Sequence, residues 1–230
     1  MKTDLGHLAY CTNIHPAESW EETFAMLKES VLPVRNALQK NNTESRFKLK
    51  SSSPYAIGLR LSALAARELL TGNTLSIFKK WLSKENCYVF TINGFPYGQF
   101  HSTSVKENVY RPDWQSRERV LYTKNLFEII GQLTPKGVSG SVSTSPASCK
   151  GFEVNFELII DHYAEIAAHI ESCSIKYDRD LHLGIEPEPY CSIEPTDAMS
   201  RLKKSLKQEF AYQKFTSRMP PLSTRVTKTN

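Results

Sequence analysis

The strongest chemical signal in the chain is an apolar run that ends on a carboxylate and alternating prolines, Leu181-His182-Leu183-Gly184-Ile185-Glu186-Pro187-Glu188-Pro189. Proline donates no ladder hydrogen bond and fixes its own φ, so Pro187 stops a strand and sets the direction of exit. A carboxylate left at a strand end can ligate a hard divalent ion or act as a general base, which makes Glu186 the first candidate for both roles. The plainer alternative is a stiffened loop with Glu186 and Glu188 in solvent. A second segment, Asn13-Ile14-His15-Pro16-Ala17-Glu18-Ser19-Trp20, offers His15 as a metal ligand or proton carrier. Alternatively, His15 and Glu18 cap a helix and Trp20 packs its first turn. A third, Thr91-Ile92-Asn93-Gly94-Phe95-Pro96-Tyr97-Gly98-Gln99-Phe100-His101, is dense in amide, glycine and aromatic groups and reads as a substrate wall or an apolar plug. Catalytic candidates are therefore Glu186, His15 and His101, with Glu186 also the metal candidate. Arg60, Asn93, Phe95, Tyr97 and Glu188 are candidates for substrate contact. Arg60, with Lys106, Arg111 and Arg117, could hold an anionic group.

These residues follow segments with strand character: Leu5–Thr12, Tyr55–Leu61, Cys87–Ile92, Val138–Thr144 and Leu181–Glu186 are short, apolar or β-branched, and bounded by polar or glycine-rich stretches. Helical stripes lie between them. Trp20, Phe24, Leu27, Val31, Val34 and Leu38 recur at steps of four and three, as do Phe152, Phe156, Ile159, Tyr163, Ile166 and Ile170. Pro33 should kink or shorten the first. Weaker patterns span Leu75–Leu82 and Val120–Leu133, and Ser62 and Thr196 are plausible N-caps. Gln39–Pro54 reads as a polar loop. Five strand–helix alternations imply a parallel sheet, doubly wound or closed as a barrel. No glycine-rich phosphate loop follows a strand and every strand ends in polar residues, which favours the barrel. A complete (β/α)₈ barrel takes about 250 residues. Here five units occupy the first 200, so three strands are expected to be missing.

The chain has 230 residues, 40% hydrophobic, enough to bury a core. The net charge of +5 is unevenly placed: residues 201–230 carry eight Lys/Arg against one acidic residue, and the first 200 are net negative. A basic terminal tail is weak support for nucleic-acid binding, and none is expected. Residues 201–230 are expected to form a poorly packed tail, from truncation or a frameshift, after a barrel part at residues 1–200. The five cysteines are scattered without a C-x-x-C pair and read as reduced thiols, mostly core filler. His162 and His169 read as surface or packing residues of a helix. Neither a signal peptide nor an apolar run long enough to span a bilayer is legible, so a cytoplasmic location is expected.

The segments G-H-L-A-Y-C-T-N-I-H-P-A-E-S-W, G-L-R-L-S-A-L-A-A-R-E-L-L, V-F-T-I-N-G-F-P-Y-G-Q-F-H, V-K-E-N-V-Y-R-P-D-W, R-V-L-Y-T and I-E-P-E-P, spread over about residues 5–197, resemble the EboE family of metabolite traffic proteins. The resemblance implies a xylose-isomerase-like TIM barrel, encoded beside a UbiA-type prenyltransferase and other small-molecule enzymes, and linked to moving a metabolite precursor out of the cytoplasm. Proteins of the same operon are then the implied partners. In the wider superfamily a glutamate ending a middle strand opens a divalent-metal site, and Glu186 matches that position. The Asp, His and Glu ligands of later strands have no counterpart before Asn230.

Three functions are therefore expected candidates: an EboE-type protein handling a small metabolite, a metal-dependent sugar isomerase or epimerase, and a non-catalytic carrier or scaffold. Mn²⁺, Mg²⁺ or Zn²⁺ is the implied cofactor. Glu186 alone supplies at most two oxygens, so weak or no specific binding is expected at that position.

Overall fold

A computed structural model of the protein describes residues 2–3, 6–40, 53–98, 109–193 and 204. His101, Lys106, Thr196 and nearly all of the basic tail lie outside the described residues. Among the described residues the strands are β1 (Lys2–Thr3), β2 (Gly6–His7), β3 (Ala9–Cys11), β4 (Tyr55–Arg60), β5 (Cys87–Asn93), β6 (Gly140–Thr144) and β7 (Leu181–Ile185). The helices are α1 (Trp20–Met26), α2 (Leu32–Lys40), α3 (Ala63–Leu69), α4 (Thr74–Lys84), α5 (Arg117–Leu133) and α6 (Phe156–Tyr177).

Strands β3 to β7 form one parallel sheet in the order of the chain, β3-β4-β5-β6-β7. Open doubly wound sheets reverse their strand order at a switch point, and this sheet has no reversal. The observed class is thus α/β, compatible with part of an α/β barrel. The expected first strand, Leu5–Thr12, is broken in two. Gly6 has φ +144°, and Gly6–His7 pairs antiparallel with Lys2–Thr3 before the chain joins the main sheet at Ala9.

The long first stripe also divides, as Pro33 requires. Its ring would meet the carbonyl four residues back and it offers no N–H. A wide helical turn over Leu27–Val31 separates α1 from α2 immediately before it. The N-cap of α1 corrects the reading of His15 and Glu18 as caps. Ser19 Oγ accepts from the Glu22 N–H at 3.1 Å, while the Glu22 carboxylate accepts from the Ser19 N–H at 3.0 Å. Ser62 caps α3 as expected, accepting from the Ala65 N–H at 3.0 Å.

The sheet has two unlike faces because side chains alternate along each strand. Tyr55, Ile57, Leu59, Val89, Ile92, Val142, Leu181, Leu183 and Ile185 belong to the buried core, together with Leu126, Phe127, Ile130, Ile159, Tyr163 and Ile166 of α5 and α6. The cross-strand register puts the alternate set on the opposite face: Ala56, Gly58 and Arg60, then Tyr88 and Asn93, then Ser141 and Ser143, then His182 and Gly184. That face mixes small and polar residues, with an aromatic group toward the start of β5 where His7, Tyr88 and Phe90 pack ring against ring. Its contacts include Ser141 Oγ to Thr91 Oγ1 at 2.8 Å and His7 Nδ1 to the Tyr88 hydroxyl at 2.6 Å.

Helices α5 and α6 approach closely at Gly131, where a Cβ would stand 2.3 Å from the Tyr177 ring. Overpacking of this kind costs about 1–3 kcal/mol. Gly131→Ala is expected to lower unfolding free energy within that range in urea titration; a neutral result would mean the helix pair is looser than described.

Candidate functional site

The polar sheet face reaches the C-terminal ends of β4, β5, β6 and β7, where Arg60, Asn93, Ser143 and Glu186 follow one another across neighbouring strands. Arg60 pairs in register with Asn93, and Asn93 with Ser143. Glu186 follows β7 directly, and its N–H continues the ladder to the Thr144 carbonyl at 3.0 Å.

Each residue has a physical reason for its position. Asn93 Oδ1 accepts from the Phe95 N–H at 3.0 Å, which bends the chain off the sheet. Gly94 then passes against β6 with its N–H on the Ser143 carbonyl at 3.0 Å, where a Cβ would meet that oxygen at 2.9 Å and Leu126 at 2.5 Å. Only glycine fits this approach. Glu186 is half-buried and accepts a hydrogen bond from the Ser143 hydroxyl. Burial pushes its carboxyl above the ordinary value, Ser143 partly offsets this, and the charge of nearby Glu188 adds to it. Glu188 itself is exposed.

Two buried arginines brace the loops of this rim. Arg60, 3% exposed, donates to the Ala17 carbonyl, to Glu18 Oε1 at 2.9 Å and to the Gly98 carbonyl at 2.6 Å. Arg119, fully buried, donates from Nε to the Pro112 carbonyl at 2.8 Å and from Nη1 to the Gly94 and Phe95 carbonyls, both at 2.9 Å. Phe95 packs with Tyr110, Cys149 and Cys191 in a small apolar cluster under the loops. The backbones of Cys149 and Cys191, both free thiols, pair in one antiparallel β-bridge that joins the loop after β6 to the loop after β7. Tyr97 is half-buried, edge-on to Tyr122 with ring centroids 5.2 Å apart.

The structure thus brings Asn93, Arg60 and Glu186 to one end of the sheet, with Phe95 and Tyr97 in the adjoining loop. His15 lies in the loop after β3, two residues before the Ala17 carbonyl that Arg60 holds, and its Nε2 is 2.7 Å from the Tyr10 hydroxyl. Of the other basic candidates, Arg117 pairs with Glu165 and Arg111 lies over the Phe152 ring, 4.0 Å from its centroid. A separate shallow cleft of about 260 Å³, lined by Gly137, Val138, Ser139, Asp178, Arg179 and Asp180, opens near the start of β6 and β7, at the opposite end.

Chemically, the rim offers a carboxyl with a raised pKa, a hydroxyl and an amide close together. Such a set can exchange hydrogen bonds with a polyhydroxylated molecule and can move a proton at Glu186. Sequence reasoning passed over Ser143 and Arg119, neither of which has a local signature. It also passed over a group that could hold a metal ion, Glu128, His169 and Cys173, whose ligand atoms lie within 4.8 Å of one another. The His-x-x-x-Cys spacing on one helix was the available signal. No helix among the described residues is long and apolar enough to cross a membrane. No family model, curated protein or solved structure matches the chain.

Proposed function

We propose that this chain is a metabolite-handling protein of the EboE type, built on the first five units of a xylose-isomerase-like barrel, that holds a small polar precursor destined for export from the cytoplasm. The single observation that carries the reading is the polar face of a parallel sheet in chain order, ending on Asn93, Ser143 and Glu186. In barrels of this topology the C-terminal rim is where ligands are met. The sequence resemblance supports the traffic assignment and proteins of the same operon as partners.

Binding is better supported than isomerisation. Among the described residues Glu186 belongs to no group of three side chains suited to one ion, so Mn²⁺, Mg²⁺ or Zn²⁺ chemistry there requires ligands from outside them. A carrier or scaffold needs only the hydrogen-bonding set.

The test is thermal-shift and calorimetric screening of the full chain against monosaccharides, polyols and hydroxy acids, with Glu186→Gln beside it. A ligand at 100 times its Kd stabilises by about 2.7 kcal/mol. The expected result is such a gain for the native chain and at least a tenfold weaker affinity for the variant. Because the folded-state pKa of Glu186 is raised, its ionisation opposes folding. That penalty grows as pH rises through the unfolded value and is complete above the folded one. Glu186→Gln should therefore be no less stable than the native chain at pH 7, which separates lost binding from lost fold. Equal binding by both proteins would overturn the reading.

A further inference from the structure

The packed helices α5 and α6 carry, away from the sheet rim, three side chains whose donor atoms converge. His169 and Cys173 are four residues apart and so share one face of α6, and Glu128 reaches them from α5. Cys173 Sγ is 3.4 Å from His169 Nε2 and 3.5 Å from Glu128 Oε1, and Nε2 is 3.7 Å from Oε1. A tetrahedral zinc ion with bonds of about 2.3 Å to sulfur and about 2.0–2.2 Å to nitrogen and oxygen sets its donors about 3.3–3.6 Å apart. The three atoms already mark out one face of that tetrahedron.

The surrounding hydrogen bonds orient them for it. The His169 ring donates to the Lys124 carbonyl. Neutral imidazole has one N–H, so the other ring nitrogen keeps its lone pair. Burial holds His169 below its ordinary value. Glu128 uses Oε2 for the Lys176 ammonium, at 2.8 Å, and the Tyr177 hydroxyl, which leaves Oε1 toward the cluster. A nitrogen lone pair and a carboxylate oxygen therefore both face one sulfur whose single proton can serve only one of them at a time. A cation satisfies all three. Metal ligands are commonly oriented in this way by a carbonyl on the far side of a histidine and donors on the far oxygen of a carboxylate.

We propose that Glu128, His169 and Cys173 form a three-ligand site for a borderline-soft divalent ion of the zinc class, with a fourth position open to solvent. The mixed sulfur, nitrogen and oxygen set disfavours Mg²⁺ and Ca²⁺, which take all-oxygen shells. Binding breaks the Cys173 S–H bond and forms a metal–thiolate bond, and the proton leaves to buffer. Burial and the Glu128 carboxylate push the thiol up to about 12, so that proton is present before the ion arrives. The site is independent of the ligand reading at Glu186.

The test uses the full chain, reduced and stripped of metal, titrated with Co²⁺ and then Zn²⁺. One equivalent of Co²⁺ should give the strong visible bands of a four-coordinate ion and a thiolate-to-cobalt charge-transfer band, and Zn²⁺ should displace it. Calorimetry in buffers of different ionisation enthalpy should show one proton released per ion. Cys173→Ser should lose the charge-transfer band, and the partly exposed His169→Gln should weaken binding more than tenfold, the loss that even outer-shell changes bring. Glu186→Gln should bind as the native chain does. Absent cobalt bands, a charge-transfer band that survives Cys173→Ser, or unchanged affinity in His169→Gln would each overturn the proposal. Should Cys173→Ser fold poorly by circular dichroism, the His169→Gln affinity decides alone.

Discussion

Arg119→Leu will destabilise the chain by about 3 kcal/mol in urea unfolding. Leucine removes a charge that burial disfavours, since desolvation already lowers the Arg119 pKa, and that relief offsets part of the loss. It also strands the carbonyls of Gly94, Phe95 and Pro112 in the interior, where each unpaired acceptor costs about 1–3 kcal/mol. Three carbonyls outweigh one relieved charge. Arg119→Lys should recover only part of the loss, because a single ammonium cannot span acceptors that a planar guanidinium reaches from two nitrogens. The Gly94–Phe95 turn carries the end of β5 against Ser143, so ligand affinity at the rim should fall with stability. A cost below about 1 kcal/mol would show that water replaces the guanidinium without penalty and that the turn holds without it.

Arg60→Met will be the second large loss, again about 3 kcal/mol. Breaking a buried ion pair from one side costs about 3–5 kcal/mol, and the lower end applies because the Glu18 side chain is 24% exposed and regains water when its partner goes. Methionine keeps the aliphatic packing but abandons the Ala17 and Gly98 carbonyls. Glu18→Gln should cost less, about 1 kcal/mol, since a neutral amide can still accept from the guanidinium. Urea unfolding of the two single variants and the double variant gives the coupling directly. The same experiment separates the two roles open to Arg60. A positioning residue loses stability on substitution, whereas a residue reserved for an anionic ligand would lose anion affinity and leave stability nearly unchanged.

The five main strands were legible in the sequence because each is a short apolar run closed by polar residues, and the strand–helix alternation gave the parallel arrangement. The second long stripe became α6 with Ile159, Tyr163, Ile166 and Ile170 on the core side and Phe156 exposed, and the weaker Val120–Leu133 pattern falls within α5. The break at Gly6 was less visible, since glycine at φ +144° leaves no mark in hydropathy. The N-cap at Ser19 had a local signature, Ser-x-x-Glu, that His15 and Glu18 drew attention from. Neighbouring strand ends placed Asn93 and Glu186 on one rim without any knowledge of contacts. What holds that rim is different in kind. Arg60 and Arg119 work by donating to carbonyls of distant loops, and a carbonyl has no residue type to read. The Glu128, His169 and Cys173 group shows the same limit: two of its members are spaced along one helix, but the third comes from another helix and meets them only through packing.

The central claim is that small polar ligands meet the chain at the C-terminal rim of the sheet. The most direct measurement is backbone amide shift mapping by NMR on the full chain, using the tightest binder from the monosaccharide, polyol and hydroxy-acid panel. Saturable shifts should concentrate at Gly94, Phe95, Ser143, Thr144 and Glu186 and disappear in Glu186→Gln. Shifts concentrated instead at Gly137–Ser139 and Asp178–Asp180, around the cleft at the opposite end of the sheet, would contradict the account.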